Sequence, residues 1–233
     1  MLSIFKKEIH SFFSSIVGYL AMLIFIIACG LFLWVVPSSS ILDYGYASMD
    51  RFFELAPWFL LLLIPSVTMR AFAEEFRTGT IEWLSTKPIS NTNIVLGKYF
   101  AILVILLFVI LPTLVYIIAI KALSTQGGID GGGILGSYIG LFFLASSFVA
   151  IGIFASAITN NQIVSFLVAA MLCFFMYTGF SSIASFEALG ALDSFIMNLG
   201  MQAHYNSLSR GLIDSRDVVY FAALIVIFLL STK

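Results

Sequence analysis

From Ile134 to Ser185 the chain carries no Asp, Glu, Lys, Arg or His. That stretch is far too long for one crossing of a hydrocarbon layer of about 30 Å, so it has to cross, turn and cross back. The polar run Thr159-Asn160-Asn161-Gln162 is the place inside it suited to a turn, which predicts spans at about 135–158 and 163–182. Backbone groups cannot stay unpaired in lipid, and these runs lack the alternation of barrel strands, so both spans are expected to be helices.

The rest of the chain fits the same class. Hydrophobic residues make up 61% and charged residues 10%, with a mean hydropathy of +1.09, outside the range of soluble globular proteins. Further apolar runs predict spans at about 16–36, 57–75, 99–120 and 217–232, the last of them short by several residues. Pro37 and the serines after it end the first, and residues 37–56, with Asp43, Asp50, Arg51 and Glu54, read as a short loop. Pro65 and Pro112 are expected to kink the second and third. The glycine-rich segment Gly127 to Gly133 reads as a loop, and residues 186–215 as external, re-entrant-like short helices dipping into the membrane interface.

At the N-terminus Leu2, Phe5, Ile9, Phe12, Phe13 and Ile16 recur at helical spacing, opposite Lys6, Lys7, His10 and Ser14. Residues 1–15 are therefore expected to form an amphipathic interfacial helix; the alternative is the start of the first span. The following run is too long for a signal-peptide core and no A-x-A-like site follows it, so retention is expected. The fold class is an all-α polytopic membrane protein, one domain over 1–233 with six transmembrane helices.

Lysine and arginine set the orientation. With a cytoplasmic N-terminus, Lys6, Lys7, Arg70, Arg77, Lys87, Lys98 and Lys233 lie inside, against Arg51, Lys121, Arg210 and Arg216 outside. Both termini are thus expected in the cytoplasm. The formal net charge of -1 offers nothing for nucleic acid, and none is expected as a partner.

Chemistry is sparse. No predicted span carries an ionisable group near its centre, which argues against an ion-coupled carrier. His10 and His204 are the only histidines, no H-E-x-x-H occurs, and Ser181 and Ser182 have no histidine within a span to act as base. Cys29 and Cys173 read as small packed side chains, with no metal site expected. The glycine run lacks a following G-K-[ST], and Gly97-Lys98 lacks the earlier glycine and the hydroxyl. The chain is expected to be no enzyme and to hold no cofactor.

One segment breaks the apolar pattern. Between Met69 and Lys98 lie Arg70, Glu74, Glu75, Arg77, Glu82, Lys87 and Lys98, an island expected to sit in water between two spans. Gly79 permits a change of direction, Thr80 to Ser85 allow about one and a half helical turns, and Pro88 stops them. Ile81, Leu84 and Trp83 then form a knob suited to a groove on another protein, with Glu82 free for a basic partner. Alternatively Trp83 is an interfacial anchor and the charges solvate a loop.

Two stretches resemble the membrane subunit of a type 2 ABC exporter. One is Glu75-Phe76-Arg77-Thr78-Gly79-Thr80-Ile81-Glu82-Trp83-Leu84 with Pro88-Ile89-Ser90 and Leu96-Gly97-Lys98; the other is Ser209-Arg210-Gly211-Leu212-Ile213-Asp214-Ser215-Arg216-Asp217. The narrower similarity is to permeases associated with gliding motility in bacteria. The resemblance implies a multi-pass protein of the bacterial inner membrane, a cytoplasmic ABC ATPase subunit that binds ATP and Mg, and a second membrane subunit, identical or paralogous. Carried over, it makes residues 76–90 a cytoplasmic coupling segment in which Glu75, Arg77, Thr80, Ile81, Glu82, Trp83 and Leu84 contact the ATPase. Arg210, Gly211, Asp214 and Asp217 belong to its external helix motif. Gly136 and Gly140, or Gly152 and Ser156, are candidates for packing between subunits or within one. The competing function is a membrane anchor or scaffold of a motility or secretion machine that transports nothing.

Overall fold

The computed structural model describes residues 1–37, 40–44, 48–80, 90–124, 130–186, 190 and 193–233. Among the described residues all regular structure is helical. In order these are α1 (Leu2–Phe13), α2 (Ile16–Trp34), α3 (Ile41–Tyr44), α4 (Asp50–Thr68), α5 (Ala73–Arg77), α6 (Asn91–Ile110), α7 (Leu114–Leu123), α8 (Gly131–Ile158), α9 (Gln162–Phe174), α10 (Phe180–Ala184), α11 (Asp193–Leu199), α12 (Met201–Leu208) and α13 (Ser215–Ser231).

Four helical stretches are long and apolar enough to cross a membrane: Asp50–Arg77, Asn91–Leu123, Gly131–Ile158 and Gln162–Ala184. A fifth is reached if Leu2–Phe13 and Gly18–Trp34, bent by 67°, count as one broken span. The sixth expected span is the 17-residue α13, which rises only about 25 Å at 1.5 Å per residue.

Several helices start earlier than the hydropathy suggests. α4 begins at Asp50, where a loop was expected, and α6 begins at Asn91, two turns before Tyr99. For α6 and α8 the reason is capping: Ser90 Oγ accepts from Asn93 N, and Asp130 likewise accepts from Gly133 N, so Gly131–Gly133 join α8 instead of a loop. The Thr159–Gln162 turn does fall between α8 and α9, with Asn161 capping Ile163 N. Pro112 converts the end of α6 into a 3₁₀ turn over Leu111–Thr113, whereas α4 runs through Pro57 and Pro65 without a break. The second span yields instead at residues 69–72, just after Ser66 and Thr68 hydroxyls bond back to the Leu62 and Ile64 carbonyls at 2.7 and 2.9 Å.

α8 is the axis of the bundle. Of its apolar stretch 72% is buried, against 28% for Gln162–Ala184, so α8 is enclosed while α9 and its continuation lie at the periphery. Close approach at α8 relies on missing side chains. A Cβ at Gly152 would lie 2.1 Å from Thr68 Oγ1, and one at Gly140 2.5 Å from Leu208 Cβ. Gly136 similarly meets the Gly211 backbone, so these small residues serve packing within the chain. Cys29 and Cys173 are buried and form no disulfide.

Candidate functional site

The break at 69–72 interrupts a helix among packed neighbours, where exposed backbone groups must find partners in the protein. Two side chains from other helices supply them. Ser156 of α8, fully buried, accepts from Phe72 N at 2.9 Å and Ala73 N at 3.0 Å and donates to Met69 O at 3.2 Å. Lys98 of α6 donates to Ala71 O. The short helix α5 thus leaves α4 along a line fixed by α6 and α8.

Lys98 is the centre of a second arrangement. Only 1% exposed, its Nζ lies 3.0 Å from Glu8 Oε1 of α1, 3.0 Å from Glu75 Oε1 of α5, and 4.9 Å above the Phe72 ring. Lys7 completes the group, with Nζ 2.8 Å from Glu75 Oε1 and 3.7 Å from Glu8 Oε1. Two cations and two carboxylates cancel, which is what lets Lys98 and Glu75 sit away from water. Burial tends to lower the Lys7 ammonium, but the hydrogen bond it donates to Glu75 and the charges of Glu75 and Glu8 outweigh it and raise its pKa above 10.5.

This corrects the expectation that the whole island lies in water. Lys98 and Glu75 are buried, the latter 8% exposed. The cause is the early start of α6, which places Lys98 in register with Ile94, Ile102 and Ile105 on its buried stripe. Glu8, which sequence reasoning passed over, follows buried Ile4 by one turn of α1 on the face packed against α6. A charge in step with an apolar stripe is the signal that finds both.

The other expected coupling residues divide. Arg77 and Thr80 are exposed at the end of α5, where the Thr80 and Thr78 hydroxyls lie 3.0 Å apart and Gly79 takes φ +70°. Glu75 instead turns inward to the ion group, while Ile81, Glu82, Trp83 and Leu84 lie outside the described residues.

At the opposite end of the bundle the second motif builds a corner. Arg210 is exposed; Gly211, at φ +80°, has no room for a Cβ, which would lie 2.5 Å from Gly133 Cα. Asp214 caps α13 by accepting from Arg216 N at 2.9 Å. Asp217 is buried, with Oδ1 2.6 Å from His204 Nδ1, and His204 stacks on Tyr220 at 3.9 Å. The corner thus fastens α12 to α13.

The described residues form a bundle of long apolar helices, one of which is broken beside a buried ion group. Residues 35–232 match the family described as ABC-2 family transporter protein, and the chain belongs to that family. It is accordingly a membrane permease subunit of an ABC transporter. The comparison with curated proteins gives no match.

Proposed function

We propose that this permease couples to a cytoplasmic ABC ATPase through residues 76–90 and exports its substrate as one of two membrane subunits, in the service of gliding motility. In this reading all six apolar helices span the bacterial inner membrane, α1 lies along its cytoplasmic surface and both termini are cytoplasmic. ATP and Mg are bound by the ATPase. Arg77, Thr80, Ile81, Glu82, Trp83 and Leu84 meet it, and Glu75 holds the segment from behind.

The observation that carries the proposal is the fixed junction behind Gly79. A push on a flexible loop is dissipated, whereas α5 is tied to α1 and α6 through Glu75 and to α8 through Ser156. Displacement of residues 76–90 therefore reaches α1, α6 and α8 together, the rigid-body route by which packed helices switch. The test is reconstitution with a Walker-motif ATPase that co-purifies with this chain. Glu82→Lys with Trp83→Ala should leave the complex folded but abolish stimulation of ATP hydrolysis by the permease. Unchanged stimulation, or failure of any ATPase to co-purify, overturns the proposal.

A further inference from the structure

A cavity of about 450 Å³ lies beside the ion group, between α1 and α2 on one side and α4, α5 and α6 on the other. Its volume falls in the range of about 300–1,000 Å³ typical of ligand sites. Its walls combine charged groups, Lys7, Glu8, Arg70, Glu74 and Glu75, with apolar ones such as Phe12 and Val67. Glu75 Oε1 is taken by the two lysines, but Glu75 Oε2 is buried and accepts no hydrogen bond among the described residues. A buried carboxylate oxygen without a donor is costly, and a donor entering the cavity would relieve that cost.

We infer that this cavity binds the headgroup of an ethanolamine phospholipid from the leaflet in which α1 lies. The inference rests on the interfacial placement of α1 proposed above, but not on the ATPase. Cations and carboxylates line the same cavity, which matches a headgroup carrying a phosphate and an ammonium together. Lys7 and Arg70 complement the phosphate, Glu74 and Glu75 the ammonium. A glycerol headgroup offers hydroxyls but only the negative charge, and leaves the carboxylates facing it without a cation. Choline brings the positive charge without an N–H, so Glu75 Oε2 stays unpaired. The apolar walls take the first part of an acyl chain.

The purified full chain, delipidated in detergent, is offered ethanolamine, glycerol and choline phospholipids with matched acyl chains, and bound lipid is counted by native mass spectrometry. The ethanolamine lipid should be retained roughly tenfold more tightly than the other two, the value of one charge-assisted hydrogen bond. Arg70→Gln with Glu74→Gln should erase that preference, and Ala21→Phe should exclude lipid by filling the cavity. Equal retention of all three lipids, indifference to Ala21→Phe, or displacement by equimolar free phosphoethanolamine overturns the inference. A nitroxide on Phe13→Cys reports the depth of α1 separately. Lost selectivity with the label among acyl chains overturns the lipid site alone; a label in water overturns the placement of α1 and the site with it.

Discussion

The hydroxyl of Tyr205 donates to the carbonyl of Phe53 at 2.7 Å, and Phe53 is the residue whose carbonyl Pro57, four positions on, has no N–H to serve. Tyr205 is 1% exposed, so both groups are shut away from water. α4 can therefore carry Pro57 in its interior because α12 supplies the missing donor. Tyr205→Phe should lower stability by about 1–3 kcal/mol, the cost of a buried unsatisfied carbonyl. Pro57→Ala restores the N–H within α4, so in that background Tyr205→Phe should cost far less. Thermal unfolding of the four proteins of this cycle in detergent measures the coupling; additive losses would show that Tyr205 acts through packing alone.

Lys98 gives a second prediction. Lys98→Met leaves Glu8 and Glu75 facing each other and strips Ala71 O of its donor, so a loss of about 3–5 kcal/mol is expected. Adding Glu8→Leu should recover part of it, because Lys7 and Glu75 then remain as a neutral pair at 2.8 Å. Denaturation of the single and double variants decides. A double variant no more stable than the single would mean that the ion group is not balanced by charge.

The pH dependence of this group has a definite sign. Lys7 has a folded pKa above its usual 10.5, so the stability it contributes is fully present below 10.5 and is lost as pH rises through the folded value. The difference in melting temperature between the wild type and Lys7→Met should stay constant from neutral pH to about 10.5 and close beyond it. It should be small and shrink with salt, since the side chain is 58% exposed. A difference that grows with alkalinity would reverse the assignment.

The helices were legible in the chain because hydropathy reports directly on lipid. The turn at Thr159–Gln162 and the corner before α13 each had a local mark: a polar run inside oil, and a capping Asp214 after Gly211. The junction had none of that kind. Ser156 reads as one more small residue on an apolar helix, and only the fold brings it to Phe72 and Ala73, more than 80 positions away. Lys98 and Glu75 read as solvated because charge density along the chain was taken for exposure; periodicity, which places Lys98 with Ile94 and Ile102, points the other way. Tyr205 and Pro57 show the same limit, since neither residue alone announces that it completes the other.

The direction in which the chain leaves α5 is set at Gly79, and this permits a test of coupling that spares the fold. Gly79 has φ +70°, and a Cβ built there meets nothing within 4 Å, so Gly79→Ala brings backbone strain without a clash. That strain is about 1–2 kcal/mol for a residue with a Cβ in the left-handed region. On an exposed turn the chain escapes it by changing φ and re-aiming residues 80–90, not by unfolding. Gly79→Ala should thus keep the melting temperature nearly unchanged while lowering permease-stimulated ATP hydrolysis severalfold. Gly79→Asn is the control, because Asn tolerates positive φ and should keep most of the stimulation. If Ala and Asn both behave as wild type, the turn does not direct the coupling segment. If both fail equally, glycine's freedom to move matters more than the angle it holds.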